Sequence, residues 1–108
     1  MKDHGVFVGL IDLYDQSRVL AGSATYAGEL CLCAIRAAEL TEALDRLFEE
    51  VQNEAVDLRS ITLLAPVGKY KHNLKMFNVK SLASFTRPLS EETSIVFSDA
   101  AIYEHDDD

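Results

Sequence analysis

The chain has 108 residues, of which 48% are hydrophobic and 26% charged, and its net charge at neutral pH is −8. Such a chain is long enough for one domain with its own core and too apolar for a disordered segment. With 18 acids against 10 bases, most of the surface repels nucleic acids and anionic membranes. No apolar run approaches the roughly 18 residues of a membrane span. We therefore expect one cytoplasmic domain over residues 1–108, with no membrane or nucleic-acid partner.

The charges are sorted along the chain. Residues 1–68 carry 11 acids and 5 bases, residues 69–89 carry 5 bases and no acid, and residues 90–108 carry 7 acids and no base. A surface of one sign attracts macromolecules of the opposite sign and speeds their encounter. The last residues, Asp106, Asp107 and Asp108, form a short acidic tail of the kind that is usually solvated.

The first half of the chain predicts two strands. Residues 6–14 and 30–35 are rich in β-branched and aliphatic side chains on both parities, which is typical of strands covered on both faces. The segment between them contains Gly22 and Gly28 and predicts a turn or irregular hairpin arm, with a short strand over residues 18–21 as an option.

Residues 38–56 predict the one long helix. Apolar side chains recur there with the 3- and 4-residue spacing that lines one side of an α-helix. The predicted buried positions are Leu40, Leu44, Leu47, Phe48, Val51 and Ala55. The opposite side is acidic, and Glu42 and Arg46 are spaced for an i,i+4 ion pair.

The second half predicts three more strands, over residues 58–65, 76–86 and 94–103. The middle one is predicted because Phe77, Val79, Ala83 and Phe85 share one parity. The order β-β-α-β-β-β predicts an α+β two-layer domain, with one helix packed on a mostly antiparallel sheet of four or five strands.

Two cysteines, Cys31 and Cys33, lie in the second apolar run. On a strand both point to the same face, and next-but-one neighbours are badly placed for an unstrained disulfide. Because no second ligand pair accompanies them, we expect reduced, buried thiols and no metal or other cofactor.

The sequence contains no phosphate-binding loop, dinucleotide fingerprint, zinc-binding pattern or nucleophile elbow. Its histidines, His4, His72 and His105, are isolated along the chain. Asp12 and Asp99 each interrupt an apolar strand and are expected to cap it or face solvent. We therefore expect a protein that is not an enzyme.

The basic stretch from Lys69 to Lys75 is interleaved with aromatic residues, a pattern that also occurs in single-strand nucleic-acid platforms. Given the overall acidity, we expect its lysines instead to balance the acidic helix or the acidic C-terminal segment. A contact with a protein partner remains the alternative.

Small size, acidity and the lack of a catalytic motif resemble the general character of bacterial immunity proteins and phage-encoded inhibitors. The resemblance implies an inhibitor that blocks the active site or substrate surface of a basic toxin or nuclease. The residues expected to contact the partner are Glu42, Asp45, Glu49, Glu50, Tyr70, Tyr103, Glu104, Asp106, Asp107 and Asp108, and Tyr14 and Tyr26 are further candidate anchors. The alternative is a regulatory domain that binds a small molecule between sheet and helix, or a homodimer with a ligand at its interface.

Overall fold

A computed structural model describes residues 5–22, 25–54, 56–71 and 73–105. The strands are β1 (Gly5–Tyr14), β2 (Tyr26–Ala37), β3 (Asp57–Pro66), β4 (Ile95–Phe97) and β5 (Ala101–Glu104). The α-helices are α1 (Gln16–Leu20), α2 (Leu40–Asn53) and α3 (Leu82–Thr86). The predicted α+β class, with an antiparallel sheet and one long helix, is confirmed.

The sheet has the order β3-β1-β2-β4, and β5 also pairs with β2. All the pairings are antiparallel. Because β4 lies opposite Cys33–Ile35 and β5 opposite Tyr26–Leu30, the two short strands run end to end along the same edge of β2. The opposite edge of the sheet is β3.

The prediction of a single last strand over residues 94–103 is wrong, because residues 98–100 lie between β4 and β5 and belong to neither strand. The Ser98 hydroxyl accepts from the backbone N–H of Leu32 at 2.9 Å. The N–H of Ser98 donates to the carbonyl of Leu32 at 2.9 Å. A side chain thus takes one place in the ladder, and the chain leaves the strand at this point.

The first face of the sheet is covered by α2. Its buried residues are Ala43, Leu47 and Val51, which pack on Ile11 and Ile35 of the two central strands. The predicted burial of Leu40 and Phe48 is wrong, because 46% and 48% of these residues are exposed. Ala55 lies outside the described residues.

The second face is covered by the segment that follows β3. Tyr70 and Phe77 are buried there against Val8, Leu32 and Ala34. The half-buried residues that complete this layer are Val67, Leu74, Val79, Leu82, Phe85 and Leu89. Both faces of β1 and β2 are therefore covered, as their apolar sequences predict.

The predicted strand over residues 76–86 is wrong. A 3₁₀ turn spans Lys75–Phe77 and ends at Asn78, which has a left-handed φ of 56°. Ser81 then caps α3 by accepting from the N–H of Ser84 at 3.1 Å. The alternation of Phe77, Val79 and Phe85 arose because a turn and a short helix both direct these side chains toward the sheet.

Residues 18–21 form no strand either, because α1 spans Gln16–Leu20. Asp15 caps this helix by accepting from the N–H of Ser17 at 3.0 Å. The hydroxyl of Ser17 donates to the same carboxylate oxygen at 2.6 Å, and this bond is the main cause that lowers the pKa of the Asp15 carboxyl. Within the part of the chain that the structure describes, no helix has the length and apolarity to cross a membrane.

Candidate functional site

The outer side of α2 is acidic, as the sequence predicts. Asp45 and Glu49 are exposed, and Glu42 and Glu50 are partly exposed. The predicted ion pair is present, with 2.7 Å between a carboxylate oxygen of Glu42 and Nη2 of Arg46. Because this pair is itself partly exposed, it contributes little to stability. We call Glu42, Asp45, Glu49 and Glu50 the acidic ridge. Asp45 and Glu49, one helical turn apart, are its most accessible residues.

Beside this acidic ridge runs a line of apolar side chains at positions i, i+4 and i+8 of the helix. It consists of Leu40 and Phe48, each nearly half exposed, with the partly buried Leu44 between them. We call these three residues the apolar stripe. An aromatic side chain in such a stripe is the usual anchor of a protein interface, and contiguous exposed apolar surface commonly marks one.

Two hydrogen bonds of the Arg36 backbone show which way the apolar stripe faces. Nη1 of Arg46 donates to the carbonyl oxygen of Arg36 at 2.7 Å. The N–H of Arg36 donates toward the β4 side of the sheet, to the carbonyl of Ser94 at 2.8 Å. The Arg46 side of α2 therefore lies toward β4. Phe48 follows Arg46 by two residues, about 200° around the helix, and so lies on the other flank, toward the sheet edge at β3.

Two tyrosines predicted to contact the partner are not available for that role. Tyr70 is only 6% exposed and belongs to the core of the second face, so its assignment as a contact residue is wrong. Its apolar ring is needed to cover that face. Tyr26 is also buried. Glu104 is exposed, whereas Asp106–108 lie outside the described residues.

Tyr103 is partly buried and is committed to a contact within the molecule. Its hydroxyl donates to both carboxylate oxygens of Asp12, at 2.7 and 2.9 Å. This hydrogen bond raises the pKa of Tyr103, because it favours the protonated phenol beside a carboxylate. Asp12 is thus held by a side chain from β5, which corrects the expectation that it caps a strand or faces solvent. Asp99 is exposed, as expected.

Glu29 is buried on the first face, at 6% exposure, and has two donors. Nε of Arg18 donates to its Oε2 at 2.7 Å, and the hydroxyl of Tyr26 donates to the same oxygen at 2.9 Å. The Tyr26 hydroxyl also accepts from the N–H of Asp15 at 3.0 Å. A buried carboxylate requires such partners. No periodicity marks Glu29 as buried, so sequence reasoning missed it.

The two cysteines lie on the same face and are free and buried, as predicted. The thiol of Cys31 donates to the carbonyl of Leu32 at 3.2 Å. Burial raises the pKa of Cys31, and burial raises that of Cys33 to about 12. Both thiols are therefore protonated and unreactive at neutral pH.

A cavity of about 180 Å³ lies beside Cys31, between the end of α2 and residues 97–100. It is lined by Leu13, Glu29, Cys31, Val51, Glu54, Val56, Phe97, Ser98 and Ala100. These residues are far apart in the sequence, so no local pattern predicts the cavity. Its position between helix and sheet is the one expected of a small-molecule site.

The basic segment and the acidic helix lie on opposite faces of the sheet. Lys69, Lys71, Lys75, Lys80 and Arg87 are all exposed, on the layer that covers the second face. The lysines therefore do not neutralise α2, which corrects one expectation. Asp99 of the C-terminal segment does lie beside this layer, where its carboxylate accepts from the amide of Asn78 at 3.2 Å. Tyr70 and Phe77 are buried, so they offer no stacking surface for bases.

His105 is exposed, whereas His4 and His72 lie outside the described residues. Among the residues that are described, no three His, Cys, Asp or Glu side chains converge on a point where they could hold a metal ion. Comparisons with protein-family models, with curated proteins and with solved structures found no match to this chain.

Proposed function

We propose that this protein binds a basic protein through the outer surface of α2 and inhibits it, in the manner of an immunity protein that covers the active site or substrate surface of a toxin or nuclease. The observation that carries the proposal is the apolar stripe running beside the acidic ridge. A solvated helix needs no apolar residues on its exposed flank, whereas a recognition helix needs both features.

The two parts of this surface have different tasks. Asp45 and Glu49 attract a cationic surface over several ångströms and so raise the association rate. Phe48 supplies an anchor whose burial holds the complex together and so lowers the dissociation rate. The combination gives a charged rim around an apolar centre, which is the usual anatomy of a specific interface.

A stable complex buries about 800 Å² on each partner, which is more than one flank of a helix about 21 Å long can provide. The apolar stripe faces the β3 edge of the sheet, so the contact extends in that direction. A cytoplasmic location is part of the proposal and is supported by the two free, reduced cysteines.

Affinity capture with matched variants tests the proposal. The wild-type protein, Phe48→Ala and the double variant Asp45→Lys/Glu49→Lys are used as baits in a lysate of the native cells. The control is Lys71→Glu/Lys75→Glu, which changes two exposed charges on the other face. We expect a basic protein that is retained by wild type and by the control and lost by both α2 variants. Equal capture of that protein by all four baits contradicts the proposal.

A further inference from the structure

The cavity beside Cys31 is half open to solvent, and its lining is mainly apolar. Leu13 comes from β1, Val51 from the last turn of α2 and Phe97 from β4. Val56 and Ala100 complete the apolar lining. Because a cavity of such composition favours an apolar group over ordered water, it can take up an alkyl chain.

Most of the polar atoms in the lining already have partners in the protein. The Cys31 thiol donates to a backbone carbonyl, and the Ser98 hydroxyl donates to the carbonyl of Asp99 at 2.9 Å while accepting from Leu32. These two side chains are neutral. The charged groups in the lining are the carboxylates of Glu29 and Glu54.

The charge at the cavity is negative. Arg18, which pairs with Glu29 at 2.7 Å, offsets one of the two carboxylates. The second carboxylate, that of Glu54, is exposed at the end of α2. The side chain of Glu29 is only 8% exposed, and among the described residues both of its donors, Arg18 and Tyr26, bond Oε2. An ammonium group in the cavity therefore has Oε1 of Glu29 and the Glu54 carboxylate as its acceptors.

The volume of this half-open cavity matches a small group. A cavity of about 150 Å³ with apolar walls accommodates benzene, so one of about 180 Å³ accommodates roughly six to eight non-hydrogen atoms. A linear chain of four to six carbons that carries one ammonium group has this size.

We propose that this cavity binds a primary alkylammonium group, with its chain against Val51 and Phe97 and its ammonium directed to the carboxylate of Glu29. Free monoamines and the lysine side chain of another protein share this chemistry. The site is independent of the α2 surface, because none of the three residues of the apolar stripe lines the cavity.

The test is an NMR titration of the ¹⁵N-labelled protein with n-pentylamine, n-pentanol and pentanoate, which share one chain length and differ in charge. We expect saturable shifts for pentylamine at the amides of Cys31, Phe97 and Ser98, with an affinity in the millimolar range, and at least about tenfold weaker binding of the other two probes. Equal affinity for pentanol and pentylamine overturns the assignment, because it identifies an apolar hole without charge selection. No saturable shift with pentylamine overturns it as well.

Variants locate the site. Ala100→Phe places a large side chain in the lining and should abolish binding, whereas Ala83→Phe, the same change at an exposed position of α3, should not. Glu29→Gln should weaken pentylamine binding about tenfold and leave pentanol binding unchanged. If that variant does not fold, Glu54→Gln provides the same comparison with a loss of about threefold. The proposal is overturned if pentylamine still binds Ala100→Phe, or if its affinity is unchanged in both Glu29→Gln and Glu54→Gln.

A further probe distinguishes the two sources of the ligand. Nα-acetyl-lysine methylamide carries the lysine side chain on a blocked backbone. Binding of this probe with the same shifts assigns the cavity to a protein lysine, and binding of pentylamine alone assigns it to a free amine. Neither result depends on capture of a partner by α2, so this proposal and the proposed function fail separately.

Discussion

The hydroxyl of Tyr103 donates to both carboxylate oxygens of Asp12 and so joins the last strand to the first across β2. The ring passes over Gly28, where an ideal Cβ atom would overlap the Tyr103 hydroxyl. Three residues from three strands are therefore matched to one another, and together they fix the register of β5.

The hydrogen bond itself should contribute to stability. We expect Tyr103→Phe to lower the free energy of unfolding by about 1 kcal/mol, because the partly buried Asp12 carboxylate loses its donor. Urea unfolding of Tyr103→Phe, Asp12→Asn and the double variant measures the coupling between the two residues. Additive losses would show that the side chains do not interact in solution.

The space above Gly28 should matter as much as the hydrogen bond. Gly28→Ala is expected to destabilise the protein by about 1 to 3 kcal/mol, the usual result of overfilling a packed position. Gly68→Ala is the control, because among the described residues no atom beyond its chain neighbours and its own helical turn lies within 4 Å of its ideal Cβ position. In a Tyr103→Ala background the Gly28→Ala change should lose much of its effect, and an undiminished loss there would place its cause elsewhere.

The buried face and the exposed flank of α2 should respond differently to truncation of their side chains. Leu47 is fully buried, so Leu47→Ala should lower the free energy of unfolding by about 2 to 5 kcal/mol. Phe48 is 48% exposed, and Phe48→Ala should change stability by less than about 1 kcal/mol. Chemical denaturation measures both. A loss for Phe48→Ala as large as that for Leu47→Ala would mean that Phe48 belongs to the core and is not free to bind a partner.

This difference shows how far sequence reasoning reaches for α2. The spacing of its apolar residues predicts the helix correctly, because residues that recur every three or four positions line one side of an α-helix. It does not predict which of them are buried, because the apolar arc is wider than the contact with the sheet. Ala43, which is small, is fully buried, whereas Leu40 is exposed. The line of contact is set by where β2 and β3 pass under the helix.

Other parts of the molecule depend on contacts that no local pattern carries. In residues 76–86, which help to cover the second face, apolar side chains occur at alternate positions only by coincidence. This alternation predicts a strand, whereas the segment forms a turn and a short helix. In the sequence Tyr70 lies among lysines, which suggests that it is exposed. In the structure it is buried and covers Val8 and Leu32 of the sheet. The lining of the cavity combines residues as far apart in the sequence as Leu13 and Ala100. The acidic ridge could be predicted, since exposure of charged residues on a helix follows directly from burial of the opposite side.

Stability should fall at alkaline pH. Burial raises the pKa of Cys33 from 9.0 to about 12, and burial likewise raises that of Tyr26 above 10.0. Above pH 9 the unfolded state releases protons that the folded state keeps, so stability that is fully present below pH 9 is lost as the pH rises toward 12. Urea unfolding from pH 8 to 10.5 measures this slope. Cys33→Ala should flatten it, and an unchanged slope would show that Cys33 does not contribute.

Association kinetics test the role of the acidic ridge most directly. Once a basic partner is captured, its association rate is measured by stopped flow over a salt series with wild type and with Asp45→Lys/Glu49→Lys. We predict that the double variant associates more slowly, with a difference that is largest at low salt and shrinks as salt screens the charges. Both proteins should have similar stability, because exposed substitutions change it by about 0.5 kcal/mol or less. Identical association rates at every ionic strength would contradict the account and leave the acidic ridge without a part in binding.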